Sequence, residues 1–239
     1  MIKRLSSVLV LVFFSIMMAN AQGGLLGKAK SALSSGGKGL SSDDIVAGLK
    51  EALSRGTTKS SDKLSAVDGF FKDAAVKILL PPEAAKVEKT LRSAGFGKQV
   101  DDAILSLNRA AEDAAKSAAP IFLNAIKNMT VSDGVNILKG TDTAATAYLR
   151  KSTSAQLTTA FRPVIDSSLQ KTGATKYWKT IFDTYNKMPL VQKINSDLPA
   201  YATAKALDGV FYYVAQEEKN IRQNPAAQVD DLLKKVFGK

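Results

Sequence analysis

Residues 207–225 read LDGVFYYVAQEEKNIRQNP. Leu207, Val210, Phe211, Val214 and Ile221 lie three, four or seven positions apart or side by side, which is one face of an α-helix. The position due on that face between Val214 and Ile221 is 217 or 218, and both are glutamates. A stripe that meets a carboxylate and then resumes predicts an acid turned toward the core. Such an acid needs a cation and hydrogen-bond donors, because losing its water unpaired is costly. Glu218 stands four residues before Arg222, the favourable order for a helix ion pair. The plainer reading is an ordinary surface pair on a stripe that ends at Val214.

Working outward, the pattern stays helical. Upstream, Asp197 is placed to cap this helix, and Pro225 ends it. SSDDIVAGLKEALSRG (41–56) carries Ser41 and Asp44 as a capping box, then Ile45, Leu49 and Leu53, with Gly56 at the expected end. LLPPEAAKVEKTLRSAG (79–95) puts prolines at a helix start and Ala84, Val87, Leu91 and Ala94 on one stripe. Residues 97–120 align Val100, Ala103, Ile104, Leu107, Ala111 and Ala114, punctuated by Pro120. TVSDGVNILKG (130–140) repeats the box with Thr130 and Asp133 and stops at Gly140. A helix-prone region runs from Asp142 to Lys171, where Pro163 predicts a kink or break. Tyr177, Trp178, Ile181, Phe182 and Tyr185 share a face, and Val229, Leu232, Leu233, Val236 and Phe237 form a last one. No β-branched alternation is sustained, and no repeat of fixed period occurs. The expected fold is all-α: a single compact multi-helix bundle with short connections.

The 239 residues contain neither cysteine nor histidine. That excludes thiol nucleophiles, disulfides, iron–sulfur clusters, thiolate zinc sites and imidazole bases. No cofactor is expected. Acid–base work by Asp, Glu, Lys or Tyr remains. The formal charge is +11, mostly from lysines spread along the chain. Without a run of basic residues no nucleic-acid partner is expected. The charge fits a solvated surface, or else attraction to an anionic envelope surface or polymer.

The chain opens MIKRLSSVLVLVFFSIMMANAQ. Lys3 and Arg4, the apolar stretch Val8 to Met18 and the small residues of Ala19-Asn20-Ala21 predict a signal peptide over 1–21, cleaved before Gln22. Residues 22–41, rich in Gly, Ser and Lys, predict a flexible tether, and 42–239 the helical domain. No later stretch is apolar for 18 residues, so no transmembrane segment is expected in the mature chain.

AGLKEAL (47–53), NRAAE (108–112), FRP (161–163), KALDGVF (205–211), EEKNIRQNP (217–225) and LLKKVFG (232–238) together resemble a bacterial family known as domain of unknown function 4197. The resemblance runs from about Ser42 to Gly238. It implies an exported bacterial protein, periplasmic or secreted, with one mostly helical domain. It implies no activity and no site residues.

The candidate site is a partly buried polar network of Asn108, Arg109, Glu112, Arg162, Glu217, Glu218 and Arg222, joining three segments of the chain. Arginine suits it because a planar fork can satisfy both carboxylate oxygens. Tyr177, Trp178, Phe182, Tyr185, Tyr212 and Tyr213 could stack sugars, although helical spacing fits core packing better. The expected role is non-enzymatic binding or envelope association. The alternative is a carboxylate-dependent hydrolase of an envelope polymer, which needs two acids about 5–10 Å apart across a cleft.

Overall fold

The computed structural model describes residues 41–187, 193–194 and 196–223. The signal segment, the tether and the last stripe, at 229–237, lie outside them. The described residues form α1 (Ser42–Ser65), a 3-10 turn (Pro82–Ala84), α2 (Ala85–Ser93), α3 (Gly97–Ala115), α4 (Ala118–Lys127), α5 (Val131–Lys139), α6 (Ala144–Lys171), α7 (Ala174–Tyr185) and α8 (Leu198–Gln223). No strand occurs among them, and the fold is an all-α bundle.

Its organising element is α6. Ala145, Leu149, Thr153, Leu157, Phe161, Ile165 and Leu169 are buried, every fourth residue. Because the helix turns every 3.6 residues, that stripe rotates by about 40° at each step and sweeps about 240° over the helix. One face could serve one neighbour only. A winding face serves several, and α6 packs against α3, α4, α5, α7 and α8. Of the kink or break expected at Pro163, the break does not occur, since the helix runs from Ala144 to Lys171 with Pro163 inside it. The missing N–H falls on the exposed side, where water can serve the Thr159 carbonyl.

Small residues set the close approaches. Ala110, Ala111, Ala114 and Ala115 of α3 are fully buried in the main core. Phe122 and Phe211 meet edge to face there, with ring centres 5.7 Å apart. Gly56, expected to end α1, lies inside it and is buried. A Cβ there would stand 3.3 Å from the Glu217 Cβ and 3.6 Å from Ile221. The glycine marks a helix crossing rather than a helix end. Beyond it Thr57, Ser60 and Ser61 are buried, each hydroxyl donating to a carbonyl four residues back. Hydroxyl residues satisfied in this way hide a buried face from a search for apolar ones. Helix α4, after the chain leaves α3, has no counterpart among the expected elements.

Residues 66–81 run without regular helix between α1 and the 3-10 turn, and bury Phe70, Val76 and Ile78. The Phe70 ring occupies the space over Gly209 of α8, where a Cβ would fall 2.6 Å from its Cε1. Gly209→Ala is therefore expected to destabilise the domain by about 1–3 kcal/mol through overpacking, read as a lower urea midpoint with an unchanged slope.

Candidate functional site

The two acids that lie deepest have identifiable work. Glu218, 4% exposed, projects from α8 onto the first turn of α6. Its Oε1 accepts from the Ala145 N–H at 2.9 Å, and its Oε2 from the Thr146 N–H and hydroxyl at 2.8 Å each. Arg222 donates to Oε1 from Nε at 3.1 Å and Nη2 at 2.9 Å, and Nη2 also reaches the Ile137 carbonyl at 2.9 Å. The opening turn of a helix leaves four N–H groups without helical partners. In α6 the Ala144 N–H goes to the Thr141 carbonyl and the Ala147 N–H to that of Thr143. Glu218 takes the two between. Thr143, at the cap position, supplies no side-chain bond. The cap is thus delivered from another helix, where the positive end of the α6 dipole favours a carboxylate.

Glu112, also 4% exposed, does the same for an irregular segment. Its Oε1 accepts from the Phe70 and Phe71 N–H groups at 3.1 Å each, and its Oε2 from Arg109 Nη1 at 2.6 Å. Arg109 Nη2 continues to Asp68 at 2.6 Å, and Lys72 meets the same carboxylate at 2.8 Å. One turn earlier on α3, Asn108 pairs with Ile78 in both senses. Its Oδ1 accepts from the Ile78 N–H and its Nδ2 donates to the Ile78 carbonyl, both at 2.8 Å. α3 therefore binds the 66–81 segment through a polar edge.

The seven candidate residues accordingly divide into groups. Glu218 and Arg222 meet at α6, while Asn108, Arg109 and Glu112 line the edge of α3. Arg162 lies apart, pairing at 2.6 Å with Asp197, whose Oδ1 caps α8 by accepting from the Ala200 N–H at 2.9 Å. Glu217 turns outward to Lys59 at 2.8 Å. Glu218 lies four residues after Val214 and three before Ile221, so α8 presents it to its neighbours on their buried face, while Glu217, 100° away, is turned to the rim.

The outer edge of the 66–81 segment is tied by a third cluster. Tyr213 donates to Asp73 and accepts from Lys63 at 2.6 Å, and Lys63 stands 3.1 Å from Asp73. Burial alone would raise the Asp73 pKa, but the Tyr213 and Lys63 bonds outweigh it and hold it below the usual range. The Asp68 carboxyl is also held low, by Lys72 and then Arg109. A folded-state pKa below the unfolded one means stability that is complete above the ordinary carboxylate value, about 3.9 for Asp, and lost as pH falls through the lower folded value. The urea midpoint is expected to hold from neutrality to about pH 4 on this account and to fall below it, with a shallower fall for Asp73→Asn.

A cleft of about 770 Å³ lies between α2, α3, α7 and the start of α8. Val87 and Leu91 of α2, Val100, Ala103 and Leu107 of α3, and Trp178, Ile181 and Phe182 of α7 form its walls. Phe96 and Tyr177 line it while 49% and 69% exposed. α2 has an apolar stripe yet no buried residue, and Val87 and Leu91 of that stripe line the cleft, Val87 half-buried against the core. The aromatic face of α7 is split: Trp178 and Phe182 are buried, with ring centres 4.2 Å apart, while Tyr177 stands at the rim. Sequence reasoning did not assemble this cleft. Its usable signal was the stripe of Val87 and Leu91 on a helix of only nine residues, followed at once by Phe96. Among the described residues no group of three acids is placed to hold a metal ion, and no helix is long and apolar enough to cross a membrane.

No curated protein and no solved structure matches the chain. A family profile matches residues 39–238, nearly all of the sequence after the opening segment. On that match the chain belongs to the family described as Protein of unknown function (DUF4197).

Proposed function

We propose that this chain is an exported, non-enzymatic binding protein of the bacterial envelope and that the cleft between α2, α3 and α7 is its binding site. The observation that carries the reading is the cleft itself. Its 770 Å³ fall in the range of small-molecule sites, about 300–1,000 Å³, and apolar walls with a few polar groups are typical of them. Glu88, Gln99, Asp102, Ser106 and Thr172 supply those groups. The export segment at 1–21 supports placement in the periplasm or outside the cell. Binding is favoured over hydrolysis because Glu112 and Glu218 have both oxygens committed to backbone, hydroxyl or arginine donors.

Trp178 is the sole tryptophan and lies on the cleft wall, so its emission reports occupancy directly. Titration with the anionic aromatic probe anilinonaphthalene sulfonate, which seeks apolar clefts, is expected to change Trp178 emission saturably. Leu91→Asp should abolish the change while preserving far-ultraviolet ellipticity, since α2 buries no residue. An unresponsive Trp178, or a response indifferent to Leu91→Asp, would refute the reading.

A further inference from the structure

We infer that α2 is a lid on the cleft, a helix that rocks between two anchors to admit a ligand and is latched by the ion pair of Arg92 with Asp101. The inference rests on the binding reading above and adds how access to that site is controlled.

Burial separates α2 from the other walls. α3 buries Val100, Ile104 and Leu107, and α7 buries Trp178 and Phe182, so both are fixed in the core. The nine residues of α2 bury none. Val87 rests half-buried against the core, and with Leu91 it lines the cleft. An element that buries so little apolar surface opens at low cost, and active-site and binding-site lids are drawn from such elements.

Both ends allow the motion. Before α2, Ala84 of the 3-10 turn is fully buried and fixes one anchor. Beyond it, Val100 of α3 fixes the other. Between α2 and α3 the chain passes through Gly95, in the left-handed region at φ 88°, where a Cβ would meet nothing within 4 Å. The last carbonyls of α2 are satisfied by its own turn. The Phe96 N–H donates to the Leu91 carbonyl at 2.9 Å and the Gly95 N–H to that of Arg92 at 3.2 Å. The first turn of α6 depends on Glu218 from another helix, whereas the C-terminal cap of α2 moves with it.

The latch is the Arg92 guanidinium. Its Nε holds Glu88 of the same helix at 2.9 Å, and its Nη1 reaches across the turn to Asp101 of α3, also at 2.9 Å. The side chains of Arg92 and Asp101 are 38% and 67% exposed, so the tie is a surface pair, able to bias the helix and weak enough to release.

The test uses the full chain and follows arrival of anilinonaphthalene sulfonate at the cleft by stopped-flow Trp178 emission. Arg92→Gln removes the latch and should speed both association and dissociation about threefold, the scale of a surface pair. Charge alone predicts slower association, since the variant loses a cation and the probe is an anion. Because the chain has no cysteine, Arg92→Cys with Asp101→Cys offers a single pair for a short bismaleimide. Joining them should slow association about tenfold relative to the same variant capped with N-ethylmaleimide. Amide exchange from Lys89 to Ser93 should outrun that of α5, a helix of equal length that buries Ile137, and should slow when the probe is bound. Slower association for Arg92→Gln, equal rates in joined and capped protein, or exchange in α2 no faster than in α5 would each overturn the lid. In those cases a saturable, Leu91-dependent response leaves the binding reading standing over a fixed cleft. Loss of that response as well removes both.

Discussion

Glu218→Ala is expected to destabilise the domain by about 3–5 kcal/mol, the cost typical of removing one partner of a buried charge pair. For a domain of this size that lowers Tm by on the order of 10 °C. The loss has two physical parts. Arg222, buried apart from a small fraction of its side chain, loses its carboxylate. The Ala145 and Thr146 N–H groups at the start of α6 lose their acceptor in a buried setting where water does not replace it. The second part separates this arrangement from a simple ion pair. Replacing both partners, as Glu218→Leu with Arg222→Leu, often restores stability at a buried pair. Here it should not, because the helix end remains uncapped. Thermal unfolding of the single and double variants decides the matter. Full recovery in the double variant would show that the acid serves only its arginine. Glu217→Ala is the internal control, since its partner Lys59 is exposed and its removal should leave Tm unchanged.

Glu112→Ala is expected to cost about 3 kcal/mol and to act locally first. The Phe70 and Phe71 N–H groups lose their acceptor, and Arg109 loses one of its two carboxylates, keeping Asp68. Amide hydrogen exchange should therefore accelerate at Phe70 and Phe71 before it does so in α6. Asn108→Ala should accelerate exchange at Ile78 instead, because its side chain is the partner of both polar groups of that residue. Identical exchange patterns for the two variants would mean that the 66–81 segment opens only with the whole domain. Phe70 couples the segment to global stability, since its buried ring sits over Gly209 and leaves the core when the segment lifts.

Much of this was legible in the residues. The capping box at Thr130 and Asp133 starts α5 where expected, with both reciprocal bonds present. The stripe of Val100, Ile104, Leu107, Ala111 and Ala114 is the buried face of α3. These signals are local, set within a few turns of one helix. Two local signals could be read only with the tertiary structure. Gly56 looks like a helix end, and only the approach of α8 shows that it is a crossing. Pro163 allows a kink or a break, and only its position on the exposed side of α6 shows why the helix continues.

The candidate site was less legible, for a reason of the same kind. Periodicity required one of two adjacent glutamates to face inward, and nothing in the spacing said which, or toward what. The backbone N–H groups that Glu218 and Glu112 satisfy are 72 or 73 and 41 or 42 residues away in sequence. A peptide N–H has no letter of its own, so no pattern of residue types announces it as a partner. The cleft was hidden more completely, since an apolar stripe reads the same whether it meets another helix or a cavity.

By itself, then, the sequence determined the helical class, most helix positions, the absence of cysteine and histidine chemistry, and the demand that an inward acid find donors. Those follow from the 3.6-residue period, from side-chain inventory and from desolvation, all properties of short stretches. Only the tertiary structure decided which acid turns inward, that the start of α6 is its partner, and that α2, α3 and α7 leave a cleft between them. Those depend on how separate helices meet, because hydrogen-bond satisfaction and unfilled volume belong to pairs of elements rather than to any one of them.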